Sequence, residues 1–266
     1  MLYFVATPIG NLKDVTYRAI ETLLSVDEIG CEDTRHSLTF LNHYGIKKPL
    51  FSYHKFNEKQ SVDKIIEKLK SGVNIAIISD AGMPVISDPG NILTSKLVEE
   101  GLDFTVIPGA NAGLSALVLS GMDASRFLFL GFLPSKQGER REFLEKYKEV
   151  EATLIFYCAP HDIEKDVASI YSVYGNRRAV AVKEISKIHE KRVVFNLQDG
   201  IGQEVKGEYV LIVEGGSKEN ENAHLTNEQL IDKYVAMGID KKTALKKVAK
   251  ERNVAKTELY KYTIRK

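Results

Sequence analysis

Hydrophobic positions along the 266-residue chain come in short, nearly continuous runs separated by amphipathic stretches. Leu2–Ala6, Ile75–Ser79, Phe104–Ile107, Phe127–Gly131, Thr153–Tyr157 and Tyr209–Val213 are rich in β-branched and aromatic residues and are predicted as strands. Their lack of polar alternation predicts burial on both faces, as in a sheet covered by helices. Val15–Ser25, Asn57–Lys70, Asn91–Glu100 and Asn111–Leu119 are predicted as helices. In the second of these, Ile65, Ile66 and Leu69 recur at helical spacing among Lys and Glu. Strands alternating with helices predict an α/β fold.

The pattern resets around Ser120–Phe132, where a glycine stands on either side of a strand, and fails at the polar, aperiodic stretch Ser217–Ala223, a predicted linker. Three regions follow: 1–120, 121–216 and 224–266. The last holds three short helical patterns, Thr226–Met237, Lys241–Arg252 and Ala255–Tyr262. They are broken at Gly238–Asp240 and again near Asn253, as in a helix-turn-helix-like unit.

Composition sharpens this outline. With 44% hydrophobic and 27% charged residues the chain can bury a core, and its net charge of +1 excludes a uniformly basic nucleic-acid coat. The balance hides a partition. From His224 onward there are 11 Lys/Arg against 5 Asp/Glu, a surplus of about +6 that leaves the body at about −5. A compact helical unit carrying that surplus predicts a nucleic-acid contact rather than a merely solvated face. Cys31 and Cys158 lie far apart without a CxxC pair, which argues against disulfides and cysteine-based zinc sites. The N-terminus turns polar after six residues without a basic leader, and no apolar run approaches the ~18 residues of a membrane span. A soluble, cytoplasmic protein is expected.

Several chemistries are missing. There is no G-x-G-x-x-G, no Gly-Lys dipeptide for a P-loop, no HExxH and no GxSxG. His36 and His43 have the spacing of one helix face but no carboxylate partner, so no metal site is expected. What stands out is three Gly/Pro loops, each after a predicted strand: Thr7–Asn11, Ser79–Gly90 and Pro108–Gly113. One such loop alone is most simply a tight turn. Three at strand ends, where open α/β sheets bind ligands, predict a pocket lined largely by backbone. Asp80 and Asp88 flank the longest and can accept hydrogen bonds from an amine or a ribose. The loops contain no Lys or Arg, which argues against a polyphosphate ligand. Three charged clusters have both a structural and a functional reading. In Cys31-Glu32-Asp33-Thr34-Arg35 a helix cap accounts for Asp33 or Thr34 but not for Glu, Asp and Arg together. Lys183–Arg192 and Lys136–Arg141 are either solvated segments or phosphate contacts.

At these loops the chain resembles a known group. VATPIGNLKDVTYRA, GCEDTRHS, SDAGMPVISDPG, PGANAGLSAL and FLGFLPSK are similar to motifs of the tetrapyrrole-methylase-like (class III) S-adenosylmethionine-dependent methyltransferases, in the branch that modifies small-subunit ribosomal RNA. The resemblance runs from Leu2 to about Gly215, and the tail is similar to that branch's C-terminal extension. It implies two α/β domains with the cofactor cleft between them, usually in a homodimer. It also implies 2′-O-methylation of a cytidine in the decoding region of 16S rRNA, within the 30S subunit, with S-adenosylhomocysteine as the by-product. Carried over by motif, Pro8, Ile9, Gly10, Asp80, Ala81, Gly82, Met83, Val85, Ala110, Asn111, Ala112, Phe156 and Tyr157 are expected beside the cofactor. For catalysis, Glu32 or Asp33 is expected to orient or deprotonate the ribose hydroxyl and Arg35 to hold a phosphate, with a desolvated Lys183 as the alternative base. The chain departs from the group's pattern at Met83, at Ala110 and at Cys158-Ala159-Pro160-His161-Asp162, where a Glu and an Arg are replaced. The rival expectations are a tetrapyrrole- or diphthine-type small-molecule methylase and a non-catalytic RNA-binding assembly factor.

Overall fold

The structure is a computed structural model and describes residues 1–202, 206–216, 225–252, 254–259 and 262. The chain forms two compact units, Met1–Gly215 and Gly216–Lys266.

The first unit holds two five-stranded sheets. β1 (Leu2–Val5), β2 (Glu28–Cys31), β3 (Leu50–Ser52), β4 (Ile75–Ile78) and β5 (Phe104–Ile107) run parallel in the order β3-β2-β4-β1-β5. Alternate residues of β1 and β4 feed different cores, as the strand period of two requires. Leu2, Phe4, Ile75 and Ile77 pack with Val62, Ile65 and Ile66 of α3 (Glu58–Lys70) and with Leu93 and Leu97 of α4 (Asn91–Glu99). Val5, Ala76 and Ile78 pack instead with Ala19 and Leu23 of α1 (Tyr17–Ser25) and with Phe40 and Leu41 of α2 (Thr34–His43). The central strands are thus apolar on both faces, whereas β5, at the sheet edge, is only half-buried.

α5 (Ala112–Ser120) carries the chain to the second sheet, where Ala116 and Leu117 pack on Ile155, Val180, Val182 and Ile212. That sheet orders β6 (Phe127–Phe132), β7 (Thr153–Cys158), β8 (Arg178–Lys183), β9 (Lys191–Asn196) and β10 (Tyr209–Val213) as β6-β7-β10-β8-β9. Only β6 and β7 pair in parallel. Its other face is covered by α6 (Gln137–Tyr147) and α7 (Ile163–Tyr174) through Leu144, Ile163, Val167 and Ile170.

Two charged clusters find structural uses. Arg140, within Lys136–Arg141, is buried; its guanidinium stands 2.9 Å from buried Asp166 and donates to the Pro134 carbonyl at 2.8 Å. Arg140 therefore does not serve as a phosphate contact. Lys183–Arg192 is the end of β8, a turn and the start of β9, with Glu184 and Ser186 in the left-handed region.

In the second unit, α8 (Asn227–Ala236), α9 (Lys241–Arg252) and α10 (Lys256–Leu259) enclose a small core of their own around Leu230, Ile231, Leu245, Val248 and Leu259. Thr226 and Gln229 form a reciprocal capping box at the start of α8, and Gly238 (φ 83°) makes the break before α9. Lys242, Lys246 and Lys250 are exposed at four-residue spacing along α9, one stripe of the helix. The predicted linker Ser217–Ala223 lies outside the described residues. No helix among the described residues is long and apolar enough to cross a membrane.

Candidate active site

The strand order of the first sheet sets β2, β4, β1 and β5 side by side, so the segments after them converge at one edge. Backbone bonds fasten these segments together. Thr7 and Gly82 exchange N–H···O bonds of 2.9 and 3.1 Å, the Thr7 hydroxyl donates to the Ser79 carbonyl, and the Ser79 hydroxyl donates to that of Gly82. The far end of the Ser79–Gly90 loop is held by a buried carboxylate. Glu58 Oε1 accepts from the Tyr53 hydroxyl (2.9 Å), the Gly90 N–H (2.8 Å) and the Ile92 N–H (3.2 Å). Between these anchors Val85 and Ser87 adopt φ of 75° and 70°. Such angles cost about 1–3 kcal/mol apiece for residues with a Cβ and persist only where the surroundings impose them.

Facing these loops are the ends of β6 and β7, the end of β8 and the start of β10. Together they enclose a cleft of ≈ 430 Å³, within the range of small-molecule sites. Its lining includes the apolar and aromatic Ile9, Met83, Ile86, Phe132, Tyr157 and Val182. It also includes the polar Glu32, Asp80, Asp88, Asn111 and Glu208, and among the described residues no Lys or Arg lines it. The field is therefore negative. Burial first, and then the charges of Glu32 and Asp80, push the Asp88 carboxyl up to about 7. Burial and the Asp80 charge likewise hold Glu32 above the ordinary carboxylate range, with His54 opposing them. A cation entering this cleft would relieve that repulsion.

A second cavity of ≈ 300 Å³ shares Ile9, Asp80, Ala81 and Glu208 with the cleft and extends toward α2. Lys187 lines it, 2.7 Å from Glu208 and 3.2 Å from Glu184. Burial works against the Lys187 charge, but its bonds to these carboxylates hold the ammonium above its ordinary value.

The residues expected from the sequence divide accordingly. Ile9, Asp80, Ala81, Gly82, Met83, Asn111, Ala112 and Tyr157 line the cleft, while Pro8 and Gly10 line the second cavity. Phe156 does not line the cleft: alternation along β7 turns it into the core beneath α6 and α7, with no exposure, and leaves Tyr157 on the cleft side. Val85 packs on the core below its loop, and Ala110 lies outside the lining, its carbonyl 3.5 Å from where a Cβ on Gly82 would stand. Of the catalytic candidates, Glu32 alone lines the cleft. Asp33 caps α2, accepting from the Arg35 N–H at 2.8 Å while its own N–H donates to Asp80 at 3.3 Å. Arg35 is exposed, and Lys183 lies over the Tyr209 ring at 5.9 Å, outside both linings. Ile86, Phe132, Val182, Glu208 and Lys187 line the two cavities without having been expected there. Glu208 immediately precedes a predicted strand, and that position is the one signal the sequence offers for it.

Residues 1–199 match the family described as Tetrapyrrole (Corrin/Porphyrin) Methylases. The chain belongs to the tetrapyrrole methylase family. It is thus a methyltransferase, and its two-sheet first unit is that family's fold. Solved structures agree: the methyltransferase CobJ (TM-score 0.61, 15% identity) and uroporphyrin-III-C-methyltransferase from Thermus thermophilus (0.58, 16%) each cover 80% of this chain and 93% of their own. At such identity they establish the fold alone. Similarity in sequence runs further. The chain is 41% identical to "Ribosomal RNA small subunit methyltransferase I" of Halalkalibacterium halodurans over 97% of its length and 93% of the relative's. It is 41% identical to the protein of that name from Bacillus subtilis over 98% and 92%. With the one from Haemophilus influenzae it shares 45% identity over 85% and 82%.

Proposed function

We propose that this tetrapyrrole methylase family member methylates small-subunit ribosomal RNA, specifically the ribose 2′-oxygen of a cytidine in the decoding region of 16S rRNA. It uses S-adenosylmethionine and acts on the 30S subunit in the cytoplasm. The observation that carries this reading is the near-full-length similarity to proteins named for that substrate, which takes in the basic helices as well as the cleft. The division of labour follows the sequence regions: 1–120 and 121–216 as the two α/β domains that close the cleft, and 224–266 as the RNA-binding tail.

The cleft suits the cofactor. When bound, S-adenosylmethionine supplies a methyl group made electrophilic by a sulfonium charge. Glu32, Asp80 and Asp88 provide the negative field such a cation needs. Ile9, Met83 and Tyr157 provide apolar surface for an adenine, and the Gly82 and Ala112 segments provide close backbone. A ribose hydroxyl is a weak nucleophile and needs an acceptor for its proton. Glu32, with its raised affinity for a proton, is the candidate the geometry favours. Asp33 positions: its cap on α2 and its bond to Asp80 tie the two carboxylate segments together. Arg35, exposed in the first turn of α2, is placed for an RNA phosphate.

A homodimer is part of the reading. Leu114 and Val118 are exposed on the outer side of α5 (Val118 77%). Val194 is exposed at the sheet edge, paired with Val180 on the face α5 covers. An apolar strip of this kind invites a partner, and sedimentation of a Val118→Asp variant tests it: an unchanged oligomeric state would remove this strip as the interface.

The deciding experiment incubates the protein with methyl-labelled S-adenosylmethionine and 30S subunits from cells lacking the enzyme, then maps the label. A labelled decoding-region ribose is expected. Cofactor binding without any label on 30S would overturn the reading in favour of a small-molecule acceptor or a non-catalytic role.

A further inference from the structure

The second cavity differs in kind from the cleft it adjoins. Pro8, Leu12 and Phe40 give it apolar surface, His36 and Thr39 of α2 give it polar groups, and Lys187 gives it the cation the cleft lacks. We propose that this cavity receives the acceptor nucleoside, its base against the α2 side and its ribose at the partition formed by Ile9, Asp80, Ala81 and Glu208. The inference rests on the RNA-methylation reading and names where that substrate sits.

Support comes from three sides. Methyl transfer requires the attacking oxygen within about 3–3.5 Å of the methyl carbon, in line with the bond that breaks. The acceptor must therefore sit directly beside the donor, and the two cavities adjoin across four shared residues. Second, a nucleotide drawn out of an RNA stack loses stacking energy that ring faces can restore. His36, exposed on α2, lines the cavity with such a ring, one turn before Phe40, whose mostly buried ring adds apolar lining. Third, Lys187 places the one ammonium group among the described residues of this lining on the acceptor's side, where a ribose carries its phosphates, and it is held there by Glu208 at 2.7 Å and Glu184 at 3.2 Å. A tetrapyrrole, whose rim bears several carboxylates, would call for more than this one ammonium group. At the partition the hydroxyl meets Asp80, whose charge acts on Glu32. As the new C–O bond forms and the C–S bond breaks, the hydroxyl proton passes to a cleft carboxylate and then to water.

The test occupies the cavity from its mouth. Thr39 is exposed on α2 and belongs to neither core, so Thr39→Trp fills space without disturbing packing. With melting temperature and S-adenosylmethionine affinity held within about twofold of wild type, kcat/KM for 30S methylation is expected to fall at least about 30-fold, mainly through KM. Wild-type kcat/KM in a folded Thr39→Trp protein would overturn the proposal, and so would a tenfold loss of cofactor affinity, which would give the cavity to the cofactor. A Thr39→Cys protein carrying a benzophenone maleimide provides a readout independent of turnover, since Cys31 and Cys158 are both buried. Crosslinks are expected at nucleotides flanking the labelled ribose, and crosslinks confined to distant rRNA would overturn the proposal. If wild-type protein labels no 30S ribose, the function and the inference fall together. If it does and Thr39→Trp is indifferent, only the inference falls.

Discussion

Asp88 shows how one residue's surroundings set both stability and ligand preference. Its carboxyl keeps a proton up to about pH 7 in the folded protein, against an ordinary value of 3.8. The folded state therefore binds more protons than the unfolded chain between these values. The stability this confers is full below about pH 3.8 and is lost as pH rises through 7. Asp88→Asn should raise the melting temperature at pH 8 by a few degrees and leave it unchanged near pH 4, which calorimetry at the two pH values will check. The same carboxyl links cation binding to pH. Titration calorimetry should find S-adenosylmethionine binding about tenfold weaker at pH 6 than at pH 8, with S-adenosylhomocysteine, lacking the sulfonium, changing much less and Asp88→Asn flattening the profile. Glu58 makes a separate case. Glu58→Ala orphans the Tyr53 hydroxyl and the Gly90 and Ile92 N–H groups in a buried site, so a loss of about 3 kcal/mol in urea denaturation is expected, together with weaker cofactor binding. The sequence made the two loop aspartates visible because they flank Gly and Pro. It could not show that Asp88 is pressed by Glu32 and Asp80, because no pattern along the chain says which carboxylates the fold will bring together.

Elements were legible where hydrophobicity was continuous. β1, β4, β5 and β10 lie within a residue of their predicted runs, and the loops that follow the first three were visible with them. β8 and β9 escaped because RAVAVK and KRVVFN are bounded by charge, and because their turn uses left-handed Glu184 and Ser186 rather than a glycine. That turn matters to the site. Ser186 accepts from the Asn11 N–H at 3.1 Å and bonds to the Asp14 carboxylate, which latches the second sheet's hairpin over the first sheet's leading loop. The fit leaves no room at Gly10, where a Cβ would stand 2.6 Å from Lys187 Cγ and 2.9 Å from the Ile185 carbonyl oxygen. Lys187 can swing away but the backbone oxygen cannot, so Gly10→Ala must part the two loops. A five- to twentyfold drop in kcat/KM on 30S is expected, with a melting temperature within a few degrees of wild type because Gly10 itself belongs to no hydrophobic core. Wild-type kinetics for this variant would show that the latch is not needed for turnover.

At the scale of the whole chain, charge and chemistry are assigned to different units. The first unit carries a negative cleft suited to a cation, which by itself does nothing to attract a polyanion. The second encloses its own core and presents the Lys242, Lys246 and Lys250 stripe. Because among the described residues that core draws on none from the first unit, removing residues after Gly216 should leave the first unit folded, with cofactor affinity within about twofold of the full chain. Affinity for 30S subunits should fall at least tenfold. Salt dependence identifies the cause: each phosphate that the protein neutralises adds about 0.7–0.9 to the steepness of log K against log salt. A tail that neutralises three or more phosphates should therefore, on removal, leave the slope shallower by at least about 2. Truncation that weakens 30S binding without changing the slope would point to shape recognition by the helices, and truncation with no effect on binding would place the whole RNA footprint on the first unit. Lys242→Gln, Lys246→Gln and Lys250→Gln combined in the full chain should reproduce most of the slope change, since the helices that present these side chains remain intact.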